Sequence, residues 1–126
     1  MAKGYAGRYL RVDLKEGRCS DFTINDSLLR QFIGGSALGA KLYFDGYPLT
    51  ADPLAPESPV FVMTGPMVGS GFPGTSRFAV CAKSPLTGIC GEAACGGTFG
   101  PDLKKAGYDG IVLTGRAEKP VSLFIV

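Results

Sequence analysis

Histidine is absent from the 126 residues of the chain. That removes the commonest general base and the commonest imidazole ligand for a metal. Charge is sparse and balanced: only 19% of residues are charged, and 13 Lys+Arg against 11 Asp+Glu leave a net charge of +2. Such a chain has no electrostatic footprint for nucleic acid or an anionic membrane surface. It has no apolar run of the roughly 18 residues that a membrane-spanning helix needs. The N-terminal stretch MAKGYAGRYLRVDL lacks the apolar centre of a signal peptide. These absences predict a cytoplasmic protein with neither a nucleic-acid nor a membrane partner. Four cysteines are present, and in that compartment they read as free thiols rather than two disulfides.

What the chain has in excess is glycine. Nineteen of the 126 residues are glycine and nine are proline, the glycine share being about twice the usual 7% or so. Disorder does not follow, because 45% of the residues are hydrophobic and disordered chains are apolar-poor and strongly charged. The glycines have no G-X-Y period, which excludes collagen. The length suits one domain with a real core. Twelve of the 19 glycines fall between Gly65 and Gly115, so the bare backbone is concentrated in the second half.

Periodicity assigns the elements. Leu10, Val12 and Leu14 alternate with Tyr9, Arg11 and Asp13, a period of two that predicts a half-buried strand. Residues 15–18 read as a turn and Cys19 to Ile24 as the returning strand. Asn25 or Asp26 caps a helix through Phe32, Gly34-Gly35 interrupts it, and a second helix is predicted from Ser36 to Phe44. Four prolines between Pro48 and Pro59 mark an irregular connection. Strands are predicted at 60–64, 76–83, 89–94, 110–114 and 121–126, and a helix opening at Cys95-Gly96-Gly97 and stopping near Gly107. The fold class is α+β, with mixed and antiparallel strands and two or three helices. The sequence closes on the apolar stretch SLFIV, which predicts that residues 1–126 are an incomplete piece of a longer protein, with strand edges open for self-pairing.

Three features could carry chemistry. The loop Gly69-Ser-Gly-Phe-Pro-Gly74 matches G-x-G-x-x-G, but a strand rather than a helix is predicted after it and Pro73 lacks the amide a phosphate would use, so it reads as a turn. Arg77 is the sole charged residue between Glu57 and Lys83. It reads either as a snorkelling arginine with its head in water or as an anion ligand, for which the forked guanidinium is suited. Cys95, Gly96 and Gly97 stand where a strand is predicted to meet a helix. Free amides there bind anions, glycines admit a ligand to the backbone, and a cysteine would be activated; the bland alternative is a buried thiol at a tight turn. Cys81, Cys90 and Cys95 match no standard zinc or iron–sulfur spacing. Lys83 and Glu92 read as surface residues, and Asp102, Lys104 and Lys105 as partners of the helix dipole.

An ordered set of motifs runs along almost the whole chain: GRYLRVDL at 7–14, the Phe32-Ile-Gly-Gly35 break, DPLAPE at 52–57, TGP at 64–66, the lone Arg77, KSPLTG at 83–88, GGTFG at 96–100, AGYD at 106–109 and GRAEKP at 115–120. In that order they resemble the N-terminal domain of the tungsten-containing aldehyde:ferredoxin oxidoreductase family. The resemblance implies an N-terminal domain that forms a base for a tungsten (or molybdenum) bis-molybdopterin cofactor with its magnesium ion. It implies that Arg77 contacts the pterin and that Ala94, Cys95 and Gly96, with Gly97 beside them, lie along the pterin phosphates. It further implies an enzyme that oxidises aldehydes to carboxylic acids. Electrons would pass through a [4Fe–4S] cluster, held by the remainder of the enzyme, to ferredoxin. The 126 residues alone are then expected to be inactive. One site departs: aldehyde-oxidising members carry Asn-Ser where this chain has Ala94-Cys95, which keeps a backbone carbonyl and removes any side-chain contact. The rival expectation is a non-catalytic, β-rich binding or assembly module with Arg77 in a structural ion pair.

Overall fold

Tyr9–Asp13 (β1) and Arg18–Phe22 (β2) form the predicted hairpin, with Tyr9 opposite Phe22 and Asp13 opposite Arg18. The turn closes on the Asp13 carboxylate, which accepts from the amides of Lys15 at 2.9 Å and Glu16 at 3.1 Å, an aspartate turn of the usual kind. The computed structural model describes residues 3–126. Asp26–Phe32 (α1) starts where its cap says it should: the Asn25 side chain accepts from the Leu28 amide at 2.8 Å. Gly35–Gly46 (α2) follows after a break at Ile33 and Gly34. Val60–Met63 (β3), Phe78–Lys83 (β4), Cys90–Cys95 (β5), Phe99–Lys105 (α3) and Gly110–Thr114 (β6) complete the described elements.

The six strands form one sheet in the order β2-β1-β6-β3-β4-β5. Only β1 and β6 are parallel; every other pairing is antiparallel. The α+β expectation with a mixed sheet and three helices therefore holds. β6 lies between β1 and β3, so Ile111 and Val112 are each 2% exposed. Helices α1 and α2 cover one face, where Tyr9, Leu29, Leu38, Tyr43, Phe61 and Met63 pack together. Helix α3 covers part of the other, placing Leu103 against Leu10, Val12 and Ile111. β1 is consequently buried on both faces at its start, more than its half-polar alternation suggests: Tyr9 is as deep as its neighbour Leu10 because α1 and α2 roof that side.

Two expectations need correcting. Residues 121–126 form no strand; Ile125 packs on the second core cluster while Val121, Phe124 and Val126 stay exposed. Apolar composition specified neither burial nor pairing here: all of 121–126 but Ile125 stay exposed, and both flanks of β6 are already taken by β1 and β3. Helix α3 begins at Phe99 after the cap residue Thr98, not at Cys95, which is the last residue of β5.

Helix α2 lies close on β4 because Gly39 lacks a side chain: a Cβ there would stand 3.0 Å from Cys81 Sγ. Burial pushes the Cys81 thiol up from 9.0 to about 11, with smaller contributions from Cys90 and Glu92. Burial raises the Tyr9 hydroxyl too, and Asp109 adds to the effect. Both groups hold their proton more tightly folded than unfolded. The stability they lend is complete below their unfolded values and is lost as pH rises through the folded ones. Urea midpoints are thus expected to show no loss from these two groups up to about pH 9, the ordinary thiol value, and a loss above it. Cys81→Ala should remove the decline that begins near pH 9 and leave the loss from Tyr9, which begins above pH 10. An unchanged decline in that variant would show that the thiol does not contribute.

Candidate functional site

Between β3 and β4 the chain makes an irregular loop, residues 64–77, rich in glycine and proline. It borders a cleft of about 460 Å³ at the end of the sheet, and the opposite wall is the α1–α2 break with the first turn of α2. Arg77 lines this cleft, as does Ala94. β4 and β5 bring those two together: Ala94 pairs with Ala79, two residues beyond Arg77.

Arg77 is exposed, and among the described residues its guanidinium has no hydrogen bond, ion pair or aromatic partner. The structural ion pair of the rival reading is therefore not formed. Facing the same cleft is the N-terminus of α2. Its cap residue Gly34 has no side chain to satisfy the first turn, and the Gly35 amide is spent on the Thr64 carbonyl at 3.0 Å. The amides of Ser36 and Ala37 have no backbone or side-chain acceptor among the described residues. A helix start carries orphan donors and a partial positive charge. A free guanidinium and a helix N-terminus on one cleft make it suited to an anionic group. Gly65 and Gly74 line it with nothing within 4 Å of where a Cβ would be, so a flat ligand can approach main chain directly.

The remaining sequence candidates divide. Cys95, Gly96 and Gly97 follow Ala94 at the exposed end of β5, outside the cleft lining, and the Cys95 thiol lies 3.4 Å from the Gly96 carbonyl. The helix start assigned to them belongs to Thr98 and Phe99 instead. The helix N-terminus that does meet Arg77 is that of α2, which composition did not single out; the signal was the Gly34-Gly35 pair, read only as a break. Gly69–Gly74 is a turn region without a following helix, as its sequence context indicates. Cys81 is buried, Cys90 and Cys95 are exposed, and no group of three potential metal ligands occurs among the described residues. Lys83 is not a free surface charge: its ammonium donates to the carbonyls of Leu49 at 2.6 Å and Ala51 at 2.7 Å. Lys104 is more than a dipole partner, since it pairs with buried Asp109. Among the described residues, no helix is long and apolar enough to cross a membrane.

Comparison with known proteins adds a second line. A family described as "Aldehyde ferredoxin oxidoreductase, N-terminal domain" matches residues 9–126. The tungsten-containing aldehyde ferredoxin oxidoreductase of Pyrococcus furiosus is 40% identical over 122 residues, which is 97% of this chain and 20% of that protein. A protein of the same organism described as the WOR-like subunit of an aliphatic sulfonate oxidoreductase is 34% identical over 124 residues, 96% of this chain and 20% of its own. A solved structure, the BamBC active-site complex of benzoyl coenzyme A reductase with a dienoyl-CoA, superposes with a TM-score of 0.95 at 30% identity, covering 99% of this chain and 19% of that one. The chain thus spans about a fifth of the length of these relatives.

Proposed function

The chain belongs to the aldehyde ferredoxin oxidoreductase family as its N-terminal domain, and on that premise we propose that it is the cofactor-binding part of a tungsten or molybdenum bis-pterin oxidoreductase. In this reading the whole enzyme oxidises an aldehyde to a carboxylic acid. Electrons leave through a [4Fe–4S] cluster, held by the remainder of the polypeptide, to ferredoxin. The 126 residues by themselves are inactive, and the enzyme works in the cytoplasm. The open edge of β5 is available to that remainder or to a second copy.

The observation that carries the proposal is the Arg77 cleft. When bound, the metal–pterin group supplies the redox chemistry, and this domain supplies position and charge. The residues present suit a flat, phosphorylated group. Arg77 would hold an anionic edge with a forked, charge-assisted hydrogen bond. The α2 N-terminus would add two amides, and Gly65 and Gly74 would leave room for contact with main chain. Ala94 would offer its carbonyl toward the magnesium ion, with Cys95, Gly96 and Gly97 continuing beside the phosphates. Relatives that match nearly all of this chain bear names that specify an aldehyde and an aliphatic sulfonate. Such a spread favours a role for the shared part in holding the shared group, with substrate choice made elsewhere.

Arg77→Ala tests this in the protein as its gene encodes it. One charge-assisted hydrogen bond is worth about 1.5–3 kcal/mol, so pterin affinity should fall roughly tenfold or more. Metal per subunit and pterin fluorescence read that fall, while the thermal midpoint of the pterin-free protein stays put, because Arg77 makes no hydrogen bond, ion pair or ring contact among the described residues. Unchanged pterin and metal content in the variant would remove Arg77 from the site.

A further inference from the structure

Ile33 is the sole non-glycine residue with a positive φ, 62°, among the described residues. β-branched side chains avoid that region, and it persists only where the surroundings hold it. Ile33 also lines the Arg77 cleft. What holds it is traceable. The Tyr5 hydroxyl donates to the Ile33 carbonyl at 2.5 Å. Tyr5 belongs to an N-terminal strap, residues 4–7, which is itself tied down by one buried side chain. Asp109, 2% exposed, accepts from the Ala6 amide at 3.0 Å and the Gly7 amide at 2.7 Å. Its partner Lys104 donates to Asp109 at 2.5 Å and to the Gly4 carbonyl at 2.8 Å, and stands over the Tyr5 ring at 5.7 Å.

A second route leaves Asp109 through its main chain. The Asp109 carbonyl accepts from the Thr64 amide at 3.0 Å and the Thr64 hydroxyl at 2.7 Å, and the Thr64 carbonyl accepts from the Gly35 amide at 3.0 Å. Both routes end within residues 33–35, the hinge between α1 and α2 that forms one wall of the cleft. The other wall is touched as well: a Cβ on Gly4 would meet Pro66 at 2.9 Å, so the strap lies directly on the loop that follows β3.

We propose that Asp109, acting through Tyr5 and Thr64, is a positioning residue for the Arg77 cleft: it locks the strap and the strained Ile33 hinge so that the α2 N-terminus faces Arg77 at a fixed spacing. This rests on the reading of that cleft as the cofactor site. Burial raises the Tyr5 hydroxyl, and the Asp109 charge raises it further, so the donor to Ile33 keeps its proton through neutral pH.

The test is amide hydrogen exchange, read peptide by peptide on the protein as its gene encodes it. Tyr5→Phe should speed exchange over residues 33–38 roughly five- to tenfold, the factor one ordinary hydrogen bond commands, with β1 and β6 unchanged. Pterin content should fall while the thermal midpoint of the pterin-free protein hardly moves. Asp109→Asn should release residues 4–7 and the same hinge. Adding Tyr5→Phe to it should speed residues 33–38 no further, because the two act in series. Unaltered hinge exchange in Tyr5→Phe, or additive effects in the double variant, overturns the proposal. Should Asp109→Asn not fold, hinge exchange and pterin content in Tyr5→Phe decide alone. A parent protein without pterin sinks the cofactor reading separately, and the exchange arms still decide the positioning.

Discussion

Asp109→Ala is expected to cost about 3–5 kcal/mol of folding stability, the penalty for breaking a buried ion pair from one side. The carboxylate is 2% exposed and its Lys104 partner 11%. Alanine would leave the amides of Ala6 and Gly7 without their acceptor, and the ammonium with only the Gly4 carbonyl. Orphaned donors cost far more than the pair nets when complete. Against a usual total of about 5–15 kcal/mol, a loss of this size leaves a large unfolded fraction at moderate urea. The denaturation midpoint measures it. Adding Lys104→Met should recover part of the loss, since an apolar pair leaves no uncompensated charge. A loss below about 1 kcal/mol for Asp109→Ala, the range of exposed pairs, would show that the pair is solvated and that the strap is held by something else.

Gly34→Ala comes next in size, at about 1–3 kcal/mol. Its backbone is extended, φ 167°, so conformation is not the obstacle. Space is: a Cβ would stand 2.6 Å from the Thr64 carbonyl oxygen and 2.9 Å from the Gly65 Cα, both main chain. The α2 N-terminus would have to withdraw from β3, stretching the Gly35–Thr64 hydrogen bond and widening the Arg77 cleft. Lower pterin content should accompany the lower urea midpoint. Gly46→Ala in the same helix is the control. Nothing lies within 4 Å of its Cβ position, and alanine is favoured over glycine in a helix by up to about 1 kcal/mol, so stability should hold or rise. Equal midpoints for the Gly34 and Gly46 variants would mean that the close approach at Gly34 relaxes freely.

Family membership also weighs on the two functional expectations. It favours the enzyme reading over a β-rich assembly module, and the unpaired guanidinium of Arg77 removes the ion pair on which the second reading depended. Asp109 was within reach of sequence reading, inside the Ala106-Gly-Tyr-Asp109 motif, yet only as a letter in a pattern. Nothing local distinguishes a surface aspartate after a helix from one whose carboxylate collects two amides from residues about a hundred positions away, beside an ammonium from its own preceding helix.

Local chemistry by itself determined the hairpin, through alternation and the turn after Asp13, and the start of α1, through the Asn25 cap. It determined the break between α1 and α2, and, through the motif order, the family. These signals act over a few residues, where propensity and capping decide. The same signals misplaced α3, because Cys95-Gly96-Gly97 resembles a helix start while β5 pairing with β4 holds Cys95 in the sheet. They made a strand of residues 121–126, because an apolar run favours a strand by composition, whereas here all but Ile125 stay exposed and no strand pairs with them. Only the tertiary structure inserted β6 between β1 and β3, set the α2 N-terminus across from Arg77, and buried Asp109 beneath the strap. Each of those depends on pairing distant segments, and a two-residue period names the face of a strand but not the strand beside it.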